Sequence, residues 1–479
     1  MMRSAVLLAI FASLAAAADQ AASTAASAAT GAASGPAASA AKYRVTANKL
    51  IDAALASNTG MNRLEYLCDR IGSRLSGSRA LDEAISWALP MMESSSLDNV
   101  RSIPVTVPHW VRGVESAELV EPLEKPLFML GLGGSIATPK GGITADVVVV
   151  SNFDELEKLG RGRVAGHIVV FDAPFVSYDE TVAYRTSGAS RAARLGAVAA
   201  LVRSITPRSL RDPHTGSLNY TSTDVQIPAA AISVEDALYL HRLYQTGGRT
   251  VVHLSMEAHM EGDADSADVM GEITGRELPN EVVVLGGHLD SWDVGQGAHD
   301  DGAGAMAALE ALALMKKLGL QPRRTVRVVL WTNEENGGRG GVAYRDWANA
   351  QKEKHVAAIE MDGGAESPIG FDLSVGPRPR RGTPATASAA SGPMFARAAA
   401  IGELLKRINA GKIIPGEGES DIAPLMNDGV PGFGLRTVMT HYFDYHHTQA
   451  DTFDKIVPAE FKRCAAAMAV MGYVLADWP

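Results

Sequence analysis

A chain of 479 residues with 46% hydrophobic content is long enough to bury more than one core, so two or three domains are expected rather than one. Its net charge of -10 argues against nucleic acid and anionic membranes as partners, because both would be repelled, and leaves small or cationic partners open. With only two cysteines, Cys68 and Cys464, neither a dense disulfide framework nor a thiolate zinc site is available, so any metal must rest on histidines and carboxylates.

In chain order, Arg3 precedes an apolar run from Ala5 to Leu14 and then small residues with several small-x-small cleavage options. That is the pattern of an export signal, predicted over residues 1–18, and of a secreted or periplasmic protein. The apolar run is about half of the roughly 20 residues a spanning helix needs, so no membrane anchor is expected. Residues 19–42, almost wholly Ala, Ser, Thr and Gly, read as a flexible linker with too little apolar bulk to offset chain entropy.

From Tyr43 to about Glu115 helical spacing dominates, over residues 47–55, 63–68 and 80–92, with a turn-like stretch at 72–78. This is the helical start of a domain completed elsewhere. Between about Leu127 and Met260 the texture changes to short apolar strands at 146–150, 167–171, 197–202, 229–232 and 250–254, predicting a compact β-rich module with a few helices. Strand-like segments at 269–273, 281–286, 325–331 and 357–361 then alternate with helical composition at 303–318 and 341–351. Several of these strands are continuously apolar, as expected when helices cover both faces of a sheet. Residues 378–391, rich in Pro, Arg, Ala and Ser, read as a surface loop, and 394–406 and 458–475 as closing helices. A bridge between Cys68 and Cys464 and a pair of free buried thiols are both compatible with the sequence.

The chemistry lies where polar residues follow strands, because ligands of open α/β sheets bind beyond the strands' carboxyl ends. One strand runs into His288 and Asp290 and on to Asp300 and Asp301; a second runs into Glu334 and Glu335; a third ends at Asp362; and His441, His446 and His447 cluster near the C-terminus. Each cluster alone has an ordinary explanation. A His-x-Asp at a strand end is usually a hydrogen-bonded pair, an adjacent Glu pair an exposed turn, and Asp-Asp-Gly a helix cap. Their joint occurrence points to metal. Histidine nitrogens and carboxylate oxygens suit zinc, and two zinc ions about 3.5–4 Å apart can share one carboxylate while another stays free as a base. Adjacent residues in extended chain point opposite ways, so Glu334 and Glu335 are expected to divide the roles of base and ligand, although spacing does not say which is which.

The run from Gly286 to Ala298, with Asp300-Asp301-Gly302, Trp331-Thr332, Glu334-Glu335, His446-His447 and Asp451-Thr452, resembles the plasma glutamate carboxypeptidase, or carboxypeptidase Q, group of the co-catalytic zinc aminopeptidase superfamily. Shorter similar stretches are His109-Trp110, residues 213–216 and residues 416–418, so the likeness extends from about Tyr43 to the C-terminus. The resemblance implies an α/β fold with a mixed sheet flanked by helices. A discontinuous zinc peptidase domain would occupy residues 43–118 and 263–479, and a β-rich protease-associated domain would be inserted at 119–262.

It further implies two zinc ions held by His288, Asp300, Glu335, Asp362 and His447, with Asp300 bridging, Glu334 as general base, and Asp290 as the acid that holds the imidazole of His288. Many aminopeptidases of the superfamily carry a Tyr where this sequence has His446, which becomes the candidate for oxyanion or substrate contact; residues 378–391 also depart from the family pattern. The implied activity is hydrolysis of dipeptides or short peptides with a free N-terminus, by a homodimer. The alternatives are an aminopeptidase acting on longer peptides, a one-zinc glutaminyl cyclase and a non-catalytic homologue.

Overall fold

The structure is a computed structural model that describes residues 35–221, 225–377 and 392–479. The export signal, most of the linker and the Pro- and Arg-rich stretch at 378–391 lie outside the described residues.

Two eight-stranded sheets organise the chain. The first runs in the order Asp98–Val107, Ala264–Ile273, Arg324–Trp331, Leu278–His288, Lys354–Glu360, Gly432–Thr437, Pro368–Ser374, Lys412–Pro415. Its four middle strands, Arg324–Trp331 to Gly432–Thr437, are mutually parallel, whereas Asp98–Val107 and Ala264–Ile273 pair antiparallel with their neighbours and Pro368–Ser374 pairs antiparallel with Gly432–Thr437 but parallel with Lys412–Pro415. From Val282 to His288 the second of these parallel strands is buried at every residue, which is why it reads as an uninterrupted apolar run. One face is covered by the helices Ala303–Lys317 and Pro458–Asp477, whose Met306, Leu309, Met468 and Met471 join Val283 and Leu285 in one core. Gly472 allows the closing helix to lie directly on the strand, because a Cβ there would fall 2.8 Å from the Leu285 side chain. On the opposite face Tyr344, from the helix Arg339–Ala350, packs with Trp331, Val284 and Val329.

The second sheet belongs to the segment between the first two strands of the first. Its order is Lys125–Leu127, Glu115–Glu121, Val251–Met256, Ile143–Val150, Ile168–Phe171, Ala199–Arg203, Ala229–Ile232, Met129–Gly131. Four consecutive strands, Ile143–Val150 to Ala229–Ile232, are parallel. The helices Phe153–Val164, Tyr178–Arg194 and Val234–Gln245 start at Asn152, Ser177 and Ser233, whose side chains each accept a backbone N–H three residues on. The module combines this sheet with those helices, and its first strand begins at Glu115, ahead of residue 119. Val107 pairs with Ala264, and Trp110–Val111 pairs with His259–Met260, so the chain enters and leaves the module as one antiparallel ribbon.

Two expectations change. Residues 36–41 form a short helix with Ala40 buried, where a flexible linker was expected: alanine lacks bulk but is the strongest helix former, and this turn has a surface to pack on. Asp98–Val107 is a strand inside a stretch read as helical, with Ile103, Val105 and Val107 alternating inward. Of the two arrangements open for Cys68 and Cys464, the structure has the second: both thiols are free and buried.

Candidate metal centre

The four parallel strands of the first sheet end on one edge, and the sequence places its acids and histidines there. His288 is the last residue of its strand, Asp362 follows Lys354–Glu360, Glu334 and Glu335 follow Arg324–Trp331, and the loop after Gly432–Thr437 carries His446 and His447. Asp300 lies between Gly297 and the helix that begins at Ala303, joined to Asp301 by a cis peptide bond.

These side chains converge on Asp300. Its Oδ1 lies 3.3 Å from His288 Nε2, which in turn is 3.4 Å from Asp362 Oδ1. Its Oδ2 lies 3.2 Å from His447 Nε2, itself 3.2 Å from Glu335 Oε2. One carboxylate thus faces two groups of partners, one through each oxygen. Four atoms of this cluster, His288 Nε2, Asp300 Oδ2, Glu335 Oε1 and Asp362 Oδ1, are buried with no hydrogen-bond partner. Buried polar atoms are rarely left so, and a shared cation is the partner that fits an all-N/O donor set. His288, Asp300 and Glu335 lie close enough to hold one ion together, as do His288, Asp301 and Asp362.

The electrostatics agree. Burial, reinforced by Asp300, pushes the Glu335 carboxyl up to about 8, and burial pushes Asp362 up to about 6. Burial opposes charge on His447 too, yet Glu335 and Asp300 draw it up to about 10. Buried negative charge crowded in this way is what a divalent ion held by these side chains would neutralise.

The surroundings hold this arrangement rigidly. Asp451 accepts from the N–H groups of His299 and Asp300 at 2.7 and 3.1 Å, fixing the bridging residue. Asp301 accepts from His288 N and Gly304 N, at 3.1 and 3.0 Å, and Gly287 gives it room, since a Cβ there would lie 2.2 Å from its Oδ2. Arg74, wholly buried, donates to the carbonyls of Gly72, Leu289, Gln296 and Gly297 and so braces the loop from His288 to Asp300. His447 sits at φ +61, a backbone region that costs a non-glycine residue about 1 kcal/mol or more and that clusters at functional sites.

Two expectations are modified by the geometry. Glu334 and Glu335 lie in a turn after Asn333, whose φ is +68, and not in extended chain. Glu335 turns inward to His447, whereas Glu334 lines the cleft. The imidazole of His288 has its Nδ1 2.9 Å from the Asp290 carbonyl oxygen and 3.8 Å from its carboxylate. That carboxylate instead accepts from the N–H groups of Glu334 and Glu335, at 3.2 and 3.3 Å, and so aims both glutamates. Arg74 went unrecognised as a site residue in the sequence, because three of its four carbonyl partners lie more than 200 residues along the chain.

The cleft over the cluster encloses about 720 Å³. Tyr178, Arg185, Ser217 and Asn219 of the module form one wall, Asp372 and Arg436 part of another, with Glu334, Asp362 and His446 exposed to the space. His446 stacks on His447 with ring centroids 3.6 Å apart, and burial beside that neighbour holds its imidazole well below the usual range, hence neutral.

Residues 268–471 match the model of peptidase family M28. Over 440 residues the chain is 43% identical to carboxypeptidase Q of Xenopus laevis and 41% identical to that of Mus musculus, alignments that each cover 91% of this chain and 90% of the relative. Among solved structures it is similar to the peptidase M28 precursor from Shewanella amazonensis SB2B, with a TM-score of 0.85 and 34% identity over 91% of this chain and 97% of that one.

Proposed function

This chain belongs to peptidase family M28, in its carboxypeptidase Q group, and is a zinc metallopeptidase; on that basis we propose that it hydrolyses dipeptides or short peptides with a free N-terminus at a centre of two zinc ions. The observation that carries this reading is the pair of partner groups around Asp300, each with buried donor atoms left unpaired. His288 and Asp362 would hold one ion, Glu335 and His447 the other, and Asp300 would bridge them. Bound zinc supplies Lewis acidity, which acidifies a coordinated water and polarises the scissile carbonyl.

The chain's own residues do the rest. Glu334, aimed from the cleft wall by the Asp290 carboxylate, takes the proton of the attacking water on its carboxylate and passes it to the leaving amine. His446, neutral and facing the cleft, offers an N–H toward the carbonyl oxygen as charge develops. The module between Glu115 and Met256, read as a protease-associated domain, closes one side of the cleft and limits substrate length. Secretion behind a cleaved signal and assembly as a homodimer belong to the same reading.

A second reading, an aminopeptidase on longer peptides, has one observation in its favour: a further space of about 280 Å³ adjoins the cleft past Ser217, Asn219, Glu334 and Glu335. A one-zinc glutaminyl cyclase and a non-catalytic homologue are both disfavoured, because neither needs all five candidate ligands. A length series separates the peptidase readings. kcat/KM for unblocked dipeptides is expected to exceed that for tetrapeptides of the same N-terminal residue by at least about tenfold, with N-acetylated peptides inert; equal turnover along the series points to the longer-peptide enzyme.

A further inference from the structure

The module reaches the metal centre itself. Thr215 brackets His447: its N–H donates to the His447 carbonyl oxygen at 3.0 Å, and its own carbonyl oxygen lies 3.2 Å from His447 Nδ1. A carbonyl only accepts, so this contact requires a proton on Nδ1 and leaves the Nε2 lone pair directed at the side where Asp300 and Glu335 stand. Behind Thr215 lies Arg185, on the module helix Tyr178–Arg194 and 5% exposed. Its Nη1 donates to the same Thr215 carbonyl at 3.3 Å and stands 3.3 Å from His447 Nδ1, while its Nη2 donates to the Tyr178 hydroxyl at 2.9 Å. A guanidinium carries no acceptor, so it does not bond a protonated Nδ1; it shares the Thr215 carbonyl with the ring and so holds that carbonyl in place. Gly216 makes the space, since a Cβ there would fall 2.3 Å from Nη1. The same loop is clamped a second time where Arg208 of the module donates to Asp444 and to the Thr440 carbonyl.

We infer that Arg185 and the Thr215 carbonyl are positioning groups for His447, so that the docked module helps set how tightly the ion on the His447 side of the centre is held. Metal-binding histidines depend on the partner of their other ring nitrogen, and loss of that partner costs about 10–100-fold in affinity. Here the partner comes from outside the peptidase core.

The inference rests on the two-ion reading, and its test keeps the two apart. Zinc-loaded full-length enzyme is challenged with excess chelator and the zinc released per chain is followed in wild type, Arg185→Gln and Arg185→Lys, with circular dichroism as a check of folding. Wild type is expected to release two zinc slowly. In R185Q one of the two leaves about 10–100-fold faster while the other keeps the wild-type rate, and R185K lies between. Wild-type release of both ions from R185Q, or equal acceleration of both, overturns the inference. If wild type holds a single zinc, the two-ion reading fails, and the inference is judged on whether that ion leaves R185Q faster. If R185Q does not fold, R185K is read the same way: it keeps the charge but lacks the second arm needed to reach both the Thr215 carbonyl and the Tyr178 hydroxyl.

Discussion

Glu334→Gln is expected to keep its zinc and lose kcat by roughly two to four orders of magnitude, the usual contribution of a positioned general acid–base group. The substitution is nearly isosteric. The backbone N–H of residue 334, which donates to Asp290, remains, and so does the inward turn of Glu335. Only the ability to accept and return a proton is lost, so KM should change little while kcat falls. Zinc content by plasma emission, read beside steady-state rates on a dipeptide, checks this. Near-normal turnover would remove Glu334 from the mechanism, and loss of zinc would make it a ligand.

Asp300→Asn is expected to abolish metal binding on both sides at once. Glu335 and His447 would serve one ion and His288 and Asp362 the other, whereas Asp300 presents Oδ1 to one group and Oδ2 to the other. An amide there loses the negative charge and one of the two acceptors. Zinc after dialysis should fall below one per chain, and kcat/KM by at least about 10³, since metal assistance supplies several kcal/mol and each 1.36 kcal/mol is tenfold. Added zinc should raise the melting temperature of wild type by mass action and leave that of D300N unmoved. A variant that still binds one zinc tightly would mean that the ions do not share this carboxylate.

The sheet and the cluster were legible in the sequence for the same reason: buried parallel strands read as apolar runs, and the first polar residues after them fall at the edge where ligands bind. His288, Asp362 and the Glu334-Glu335 pair could all be placed that way. What stayed hidden depends on contacts far apart in the chain. Which of Glu334 and Glu335 turns inward depends on a left-handed Asn333 and on two hydrogen bonds to Asp290, neither visible in the spacing. The imidazole of His288 finds a carbonyl where a carboxylate was expected, and a carbonyl has no side-chain signature. Arg74 reaches the loop from Leu289 to Gly297, and Arg185 reaches His447 and the Thr215 carbonyl, only through the tertiary fold. The strand Asp98–Val107 has a period-two pattern, but it follows directly on three helices and includes Pro104, which masked it. The short strands Pro368–Ser374, Lys412–Pro415 and Gly432–Thr437 carry Pro or Gly at their ends, turn signals that hide a strand in the sequence.

If residues remote in sequence hold two zinc ions around Asp300, as proposed, zinc stoichiometry will show it. Purified enzyme stripped by chelation and titrated back with zinc should regain activity as the content approaches two per chain. Activity that survives exhaustive chelation, or that is complete with less than one zinc per chain, would contradict the account.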